Sequence, residues 1–220
     1  MFVGHYGPSF GGRAAAAAPL WLFFVAAQFL DYLWGVFILL GVERMRIVDG
    51  FLPMSPFDLF YMPWTHSLVM AVVWSAVFAG LARFALGVRS SGALLLLALA
   101  VFSHWVLDLL VHAPDLALWP TDDAPKLGLA AWRDPALTLL LEFGVLFAGF
   151  ALYMGATRAR GVAGRIGPFV LLLILIGLFA YNHYAPVPPN SAVAAGSALA
   201  AYTVLAVLAW LLCDRLRTAK

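Results

Sequence analysis

The chain has 220 residues, of which 64% are hydrophobic and 11% are charged, and its formal net charge is +2. Soluble domains carry about 25% charged residues, so this composition excludes an ordinary soluble domain. It predicts a polytopic membrane protein whose first partner is the lipid bilayer. The small net charge argues against nucleic-acid binding. A single cysteine, Cys213, excludes an intrachain disulfide and a metal site built from several thiolates.

Six apolar runs are each long enough to cross a bilayer as a helix. They cover residues 19–41, 66–86, 91–113, 135–156, 166–185 and 191–213. No internal repeat or second domain is evident in the sequence. We therefore predict a single transmembrane domain over residues 1–220, folded as an all-α, polytopic helical bundle with about six transmembrane helices.

The two longest connections between these runs are residues 42–65 and 114–134, and both are rich in Pro and Asp. They are too polar to cross the membrane and could fold over a site. Two acidic side chains of the first connection, Glu43 and Asp58, are expected to be solvated or to cap a helix.

The distribution of lysine and arginine predicts the orientation in the membrane, because cytoplasmic segments carry an excess of both residues. Nine of them lie at the two termini and in the second and fourth connections, whereas four lie in the opposite connections. We therefore predict that both termini are cytoplasmic.

The third run ends in a row of ionisable side chains within the segment SHWVLDLLVH. His104, Asp108 and His112 are spaced four residues apart. On a helix this spacing turns about 40° and rises about 6 Å per step, so one face carries all three side chains. Burying such groups in lipid is costly, and they usually face a bundle interior, a cavity or an ion.

Other polar residues fall at the same depth of the predicted bundle, in the half that faces away from the cytoplasm. They are Asp31, His66, Glu142 and His183. We predict that these side chains meet in one pocket of nitrogen and oxygen donors, which suits zinc, or manganese or iron in a more open geometry. A zinc-bound water has a pKa of about 7, and an unliganded carboxylate such as Glu142 could then act as general base.

Each of these residues also has a purely structural interpretation. His104 and Asp108 could form a hydrogen-bonded pair that joins helices, and Asp31 and Glu142 could hydrogen-bond at other helix interfaces. His112, a further candidate metal ligand, lies at the predicted membrane surface and could be solvated. His183, in the segment YNHY, is interpreted as an interface residue.

Four short motifs stand in the same order as in a known family. They are Gly4-His5, the acidic end of QFLD at Asp31, Thr65-His66-Ser67, and the Ser-His-x-x-x-Asp pattern that ends at Asp108. In these motifs the chain resembles the bacterial YdjM-type family of membrane-bound, metal-dependent hydrolases. The resemblance covers roughly residues 4–120, and the remainder, residues 121–220, is predicted to be helical.

The resemblance implies a bacterial inner (plasma) membrane location and a divalent metal ion. The implied ligands are His5, Asp31, His66, His104 and Asp108, and Ser67 of the Thr-His-Ser motif is a candidate catalytic residue. This sequence departs from the family pattern at two places, one of which bears on the number of ligands and the other on the substrate contacts. Asp31 stands alone where the family commonly has two acids, and Met62-Pro63-Trp64 replaces an Arg-Gly.

His5 conflicts with the predicted topology, which places it on the cytoplasmic side, opposite the other candidate ligands. Three resolutions are open. The Gly- and Pro-rich stretch 4–12 folds into the pocket, or His5 is not a ligand, or the first helix is not a simple span.

Three functions fit this pattern. The leading hypothesis is an integral-membrane metallohydrolase that acts on a lipid, or on another membrane-accessible ester or phosphoester, at a pocket near one membrane interface. Alternatively, the same residues could form a proton or divalent-metal path in a transporter or channel, which requires polar residues through the other leaflet. The third possible function is that of a non-catalytic scaffold, in which the polar groups only join helices.

Overall fold

A computed structural model describes all 220 residues, Met1–Lys220, and most of them are helical. The helices are α1 Tyr6–Ala15, α2 Leu20–Ala27, α3 Phe29–Leu39, α4 Pro63–His66, α5 Leu68–Phe84, α6 Ser91–Val111, α7 Pro135–Ala156, α8 Val162–Tyr184 and α9 Ser191–Ala209. The strands are β1 Arg44–Leu52, β2 Ser55–Tyr61, β3 Leu116–Ala117, β4 Lys126–Leu127, β5 Thr157–Ala159 and β6 Arg217–Ala219. Two 3₁₀ turns, Val3–His5 and Ala131–Arg133, and a π turn at Trp210–Asp214 complete the elements.

Four helices are long and apolar enough to cross a membrane, namely α6, α7, α8 and α9, the last extended by its π turn to Asp214. The pair α2 and α3 makes a fifth span if it is counted as one, although its two helices meet at 51°. The run predicted at 66–86 forms α5, which has only 17 residues. Such a helix reaches about 25 Å, against about 30 Å for the hydrocarbon core. The six predicted spans are therefore confirmed only as four or five.

The prediction of an all-α fold needs a correction, because the connections contain three small antiparallel sheets. Peptide groups in a long connection need hydrogen-bond partners, and pairing with a neighbouring segment provides them without a helix. The largest sheet is the β1–β2 hairpin, built from the first long connection. Its Met45 and Leu59 pack with Trp34 of α3 and with Leu116. This polar connection thus lies over one end of the bundle, as the sequence suggested.

The first apolar run is broken where a single helix was predicted. Gln28, with φ −102° and ψ 10°, leaves the helical conformation and separates α2 from α3. The break frees the carbonyl oxygen of Ala27, which accepts a hydrogen bond of 2.7 Å from Nδ1 of His104. A backbone group released inside a membrane needs such a partner. The bend and a polar residue of α6 therefore stabilise each other.

The amino-terminal residues fold back into the bundle as α1, which crosses α7 at close range. A side chain at Gly7 would collide with the carbonyl group of Val145, and one at Gly149 would collide with the carbonyl group of Gly7. Because glycine has no Cβ, the two backbones can approach this closely. The turn that precedes α1 and ends at His5 is thereby held inside the bundle.

The opposite end of α1 is tied to the carboxyl-terminal part of the chain. Asp214 accepts hydrogen bonds from the amides of Leu20, at 2.7 Å, and Trp21, at 3.0 Å. Arg13 Nε lies 3.9 Å from the same carboxylate. Helix α1 therefore runs from the buried His5 towards the end of the bundle where Arg13 and Asp214 lie. The side of the membrane that each end faces remains a prediction.

Apolar packing surrounds α2 on both sides. One cluster joins α2 to α1, α7, α8 and α9 and contains Phe24 and Leu171, and a second joins α2 to α5 and α6 and contains Phe23 and Leu97. The outer surface also carries large apolar side chains, such as Leu140, as expected where helices face lipid. The polar side chains are left in the interior, near the hairpin.

Candidate metal centre

Four polar side chains meet inside the bundle beneath the β1–β2 hairpin. Asp31 lies in the first turn of α3, directly after the bend, and His66 is the last residue of the short helix α4. His104 and Asp108 lie one turn apart on α6. Both imidazoles and the Asp108 carboxylate are at most 3% exposed, and Asp31 is 17% exposed.

The potential ligand atoms of these four residues lie close to one another. His66 Nε2 is 3.3 Å from His104 Nε2. Asp31 Oδ1 is 3.4 Å from His66 Nε2 and 3.5 Å from His104 Nε2. Asp108 Oδ2 is 3.1 Å from His104 Nε2 and 3.7 Å from His66 Nε2. Five of the six distances in this set of four atoms therefore fall between 3.1 and 3.7 Å.

These distances fit a tetrahedral cation. Zinc binds nitrogen and carboxylate oxygen at about 2.0–2.2 Å, which places the ligands of a regular tetrahedron about 3.3–3.6 Å apart. The spacing of Asp31, His66 and His104 therefore suits ligands of one ion, and Asp108 Oδ2 lies within 3.7 Å of both histidine nitrogens.

The other nitrogen of each imidazole is fixed by a hydrogen bond outside this set. His104 Nδ1 donates to the freed carbonyl oxygen of Ala27. His66 Nδ1 lies 2.8 Å from the hydroxyl oxygen of Thr65, which donates to Glu43 Oε2 at 2.7 Å. Partners of this kind fix the tautomer and the ring orientation of metal-binding histidines. Both Nε2 lone pairs are thus left for an ion.

Glu43 organises the short helix that carries His66. Its Oε1 accepts hydrogen bonds from the amides of Trp64 and Thr65, both at 2.9 Å. The prediction that Glu43 caps a helix is confirmed, whereas its side chain is buried rather than solvated. Burial raises the pKa of Glu43 above its ordinary value, against the opposing effect of His66 and these hydrogen bonds. Asp58, in contrast, pairs with Arg46 on the hairpin at 2.6 Å.

Two residues that the sequence analysis did not select also orient the ligands. Thr65 connects His66 to Glu43, and it stood next to His66 in the quoted motif. Tyr202 of α9 donates a hydrogen bond of 2.7 Å to Asp31 Oδ2. Nothing in the sequence around Tyr202 pointed to Asp31, because the two residues are 171 positions apart.

The second oxygen of Asp108 faces a different group of side chains. Asp108 Oδ1 lies 3.2 Å from His5 Nε2 and 3.6 Å from His112 Nε2, and it also contacts the α-amino group of Met1. The His5 ring stacks on the His104 ring with a centroid distance of 3.8 Å and an angle of 4°. The amino-terminal stretch thus folds into the pocket, which answers the topological conflict over His5.

His112 is buried, in contrast to the solvated alternative considered from the sequence. Its Nδ1 lies 2.9 Å from Asp115 Oδ1, and its ring packs on Trp132 at a centroid distance of 4.5 Å. These contacts direct Nε2 towards Asp108.

The remaining candidates occupy the edge of this arrangement. Glu142 is buried and accepts hydrogen bonds of 2.7 Å from the amides of Phe2 and Gly4, so it anchors the amino-terminal turn. Ser67 caps α5, where its hydroxyl accepts a hydrogen bond from the amide of Met70. His183 is exposed at the rim of the cavity, near the interface position expected for it.

A cavity of about 240 Å³ opens next to the polar group. Its polar side includes Asp31, His66, Asp108, His112 and Glu142. The opposite wall is largely apolar and is formed by the hairpin, α3, α8 and α9, including Trp34, Phe57, Leu59, Leu178, Phe179 and Ala198. An amphiphilic molecule could place a polar group against the histidines and an apolar group against this wall.

Comparison with known proteins identifies a family. A family model described as YdjM inner membrane protein matches residues 62–186, more than half of the chain. The family indicated by the ordered motifs is confirmed, although the match begins after His5 and Asp31 and extends past residue 120. No curated protein and no solved structure matches the chain.

Proposed function

Since the chain belongs to the YdjM inner membrane protein family, we propose that it is an integral-membrane, metal-dependent hydrolase. The proposed substrate is a lipid, or another ester or phosphoester that is accessible from the membrane. The proposed cofactor is a divalent cation, preferentially zinc, with manganese or iron as alternatives that accept the same donors.

The spacing of the four ligand atoms carries this proposal. The nitrogens of His66 and His104 lie 3.3 Å apart, and each is 3.1–3.7 Å from an oxygen of Asp31 and an oxygen of Asp108. Their imidazoles are oriented from behind by Ala27 and by Thr65. Buried carboxylates at this depth of a membrane protein need a compensating charge, and a divalent cation supplies it.

The roles of the residues follow from their positions. Asp31, His66 and His104 would hold the ion and leave its fourth position open, and the bound ion would there supply activation of water and polarisation of the ester or phosphoester group. Glu142 is the proposed general base, because its carboxylate lines the same cavity and a carboxylate keeps lone pairs free beside two accepted hydrogen bonds. Ser67 remains a sequence prediction, since its hydroxyl is engaged at the start of α5.

The apolar wall supports a membrane-derived substrate. Side chains of the hairpin, α8 and α9 would contact an acyl or prenyl chain, while the headgroup lies against the histidines. A transport path has less support, because the first half of α6 buries the apolar residues Ala93, Leu97 and Val101 where a path would need polar groups.

Metal content combined with activity tests the proposal. Protein purified in detergent is expected to contain stoichiometric metal by elemental analysis, and to hydrolyse a member of a panel of phospholipids, lipid phosphates and acyl esters. His66→Ala should lose both the metal and the activity, whereas His183→Ala should keep the metal. Wild-type protein that binds neither zinc, manganese nor iron would contradict the proposal.

A further inference from the structure

We infer that the pocket holds two divalent cations, bridged by the carboxylate of Asp108. This inference rests on the proposed function and adds the number of ions and the ligands of the second. The first ion takes the three ligands of the proposed function together with Asp108 Oδ2 as the bridging ligand. The second lies at Asp108 Oδ1, with His5 and His112 as its side-chain ligands.

The two oxygens of Asp108 face two separate sets of donors. Oδ2 lies 3.1 Å from His104 Nε2, and Oδ1 lies 3.2 Å from His5 Nε2. Each distance is close to the separation of about 3.3 Å expected for two ligands of one tetrahedral ion. A carboxylate that presents its oxygens to two histidines in this way is arranged as a bridge.

The donors of the pocket fall into two sets that share His104. Asp31, His66 and His104 place ligand atoms within 4.8 Å of one another, and so do His5, His104 and Asp108. The rings of His5 and His104 are parallel within 4° and their centroids are 3.8 Å apart, so the two sets adjoin. Two adjoining sets suit the separation of about 3.5–4 Å that is found in two-metal hydrolytic sites.

The surroundings of His5 point to a ligand rather than a packing role. His5 is buried, its only polar contact is the one through Nε2 to Asp108, and its Nδ1 has no hydrogen-bond partner. Buried histidines normally hydrogen-bond through both nitrogens, so contacts within the protein satisfy only the Nε2 side of His5.

His112 completes the second set. Its Nε2 lies 3.6 Å from Asp108 Oδ1, and its Nδ1 is fixed by Asp115 in the way that Thr65 fixes His66. The α-amino group of Met1 also contacts Oδ1, and a metal ion bound there would replace this ammonium group beside the oxygen.

Titration of metal-free protein with Mn²⁺ alone tests the inference. Equilibrium dialysis with elemental analysis should give two Mn²⁺ per chain at saturation. Electron paramagnetic resonance should show the multiline spectrum of an exchange-coupled Mn²⁺ pair. His5→Gln, which keeps a polar side chain of similar length, should bind one Mn²⁺ and lose the coupling. His183→Gln is the matched control and should bind two.

The outcomes separate the two proposals. Wild-type protein that saturates at one Mn²⁺ with an uncoupled six-line spectrum would overturn the second ion and leave a one-ion hydrolase. An unchanged coupled pair in His5→Gln would overturn the assignment of His5. Absence of any Mn²⁺, Zn²⁺ or Fe²⁺ binding by folded wild-type protein would overturn the proposed function as well.

Discussion

At the scale of single residues, the imidazoles of His66 and His104 are each held through the nitrogen that does not face the pocket. His104 is held by a backbone carbonyl group and His66 by the hydroxyl group of Thr65, which passes the interaction on to Glu43. The first arrangement depends on a bend in a helix, and the second depends on one side chain. The second can therefore be tested by substitution.

Thr65→Val keeps the shape of the side chain but removes the hydroxyl group between His66 and Glu43. We expect the Kd for Zn²⁺ to rise about 10- to 100-fold, because partners behind metal ligands have effects of this size. Competition with a chromophoric chelator in detergent measures the change. Thr65→Ser should bind as wild type does, and Thr218→Val in β6 is the control. Unchanged affinity of Thr65→Val would show that the hydroxyl group does not position His66.

Glu43 makes the stability depend on pH. Burial raises its pKa above the ordinary value of 4.5, so the folded protein binds this proton more tightly than the unfolded chain does. The stabilisation is fully present below the ordinary pKa and is lost as the pH rises through the raised pKa of the folded state.

Glu43→Gln cannot ionise and still offers an oxygen to the amides of Trp64 and Thr65. In metal-free protein, we expect its free energy of unfolding to decrease less than that of wild type as the pH rises from the acid range to neutrality. Chemical unfolding followed by tryptophan fluorescence measures both slopes. Parallel slopes would mean that Glu43 titrates alike in the folded and unfolded states.

At the scale of elements, the position of α1 depends on the absence of side chains at two glycines. Gly7 and Gly149 let α1 and α7 approach until backbone atoms of one helix contact the other. Because α1 follows the turn that carries His5, this crossing also determines how far His5 enters the pocket.

Gly149→Ala should therefore destabilise the protein by about 1–3 kcal/mol, the usual range for overpacking of a tight contact. Gly144→Ala lies in the same helix, where a Cβ would meet nothing within 4 Å, and should change the stability by less than about 1 kcal/mol. Unfolding in a mixed detergent series compares the two. Equal stability of both variants would contradict the close crossing.

Several of these elements could be predicted from the sequence, and others could not. The four-residue spacing on α6 correctly placed His104, Asp108 and His112 on one face, because helical geometry depends only on local spacing. Residues 20–34, which surround the bend at Gln28, contain no proline or glycine, so no local pattern marked it. The hairpin was expected only as a connection, since its alternation of apolar residues is weak.

Contacts between distant parts of the chain were the least predictable. Tyr202 reaches Asp31 across 171 positions, and the glycines of α1 and α7 meet only in the folded bundle. A single sequence carries no information on such pairs. The cost of burying ionisable groups in a membrane, in contrast, does predict that the ionisable groups must converge.

At the scale of the whole molecule, the ligands join parts of the chain that have few other reasons to meet. The amino-terminal turn, α3, α4 and α6 all contribute a side chain to the group around Asp108. Bound metal should accordingly stabilise the entire fold, because an ion that binds only the folded state shifts the unfolding equilibrium.

Removal of the metal by EDTA should lower the midpoint of thermal unfolding, and added Zn²⁺ should restore it. With free metal at 100 times its Kd, the expected stabilisation is about 2.7 kcal/mol per ion. Differential scanning fluorimetry in detergent measures the midpoint. Asp108→Asn should not respond to EDTA or Zn²⁺, while His183→Ala should respond as wild type does. A wild-type midpoint that ignores EDTA would contradict metal binding.

The break at Gln28 has a consequence for how the polar group assembles. In a continuous helix, the Ala27 carbonyl group would accept a hydrogen bond from a backbone amide of the same helix instead of from His104. The residues that follow would point in a direction 51° away, which would carry Asp31 away from His66 and His104. Only the kinked form of this hydrophobic segment therefore brings Asp31 beside the two histidines, so the break is a condition for assembling the polar group.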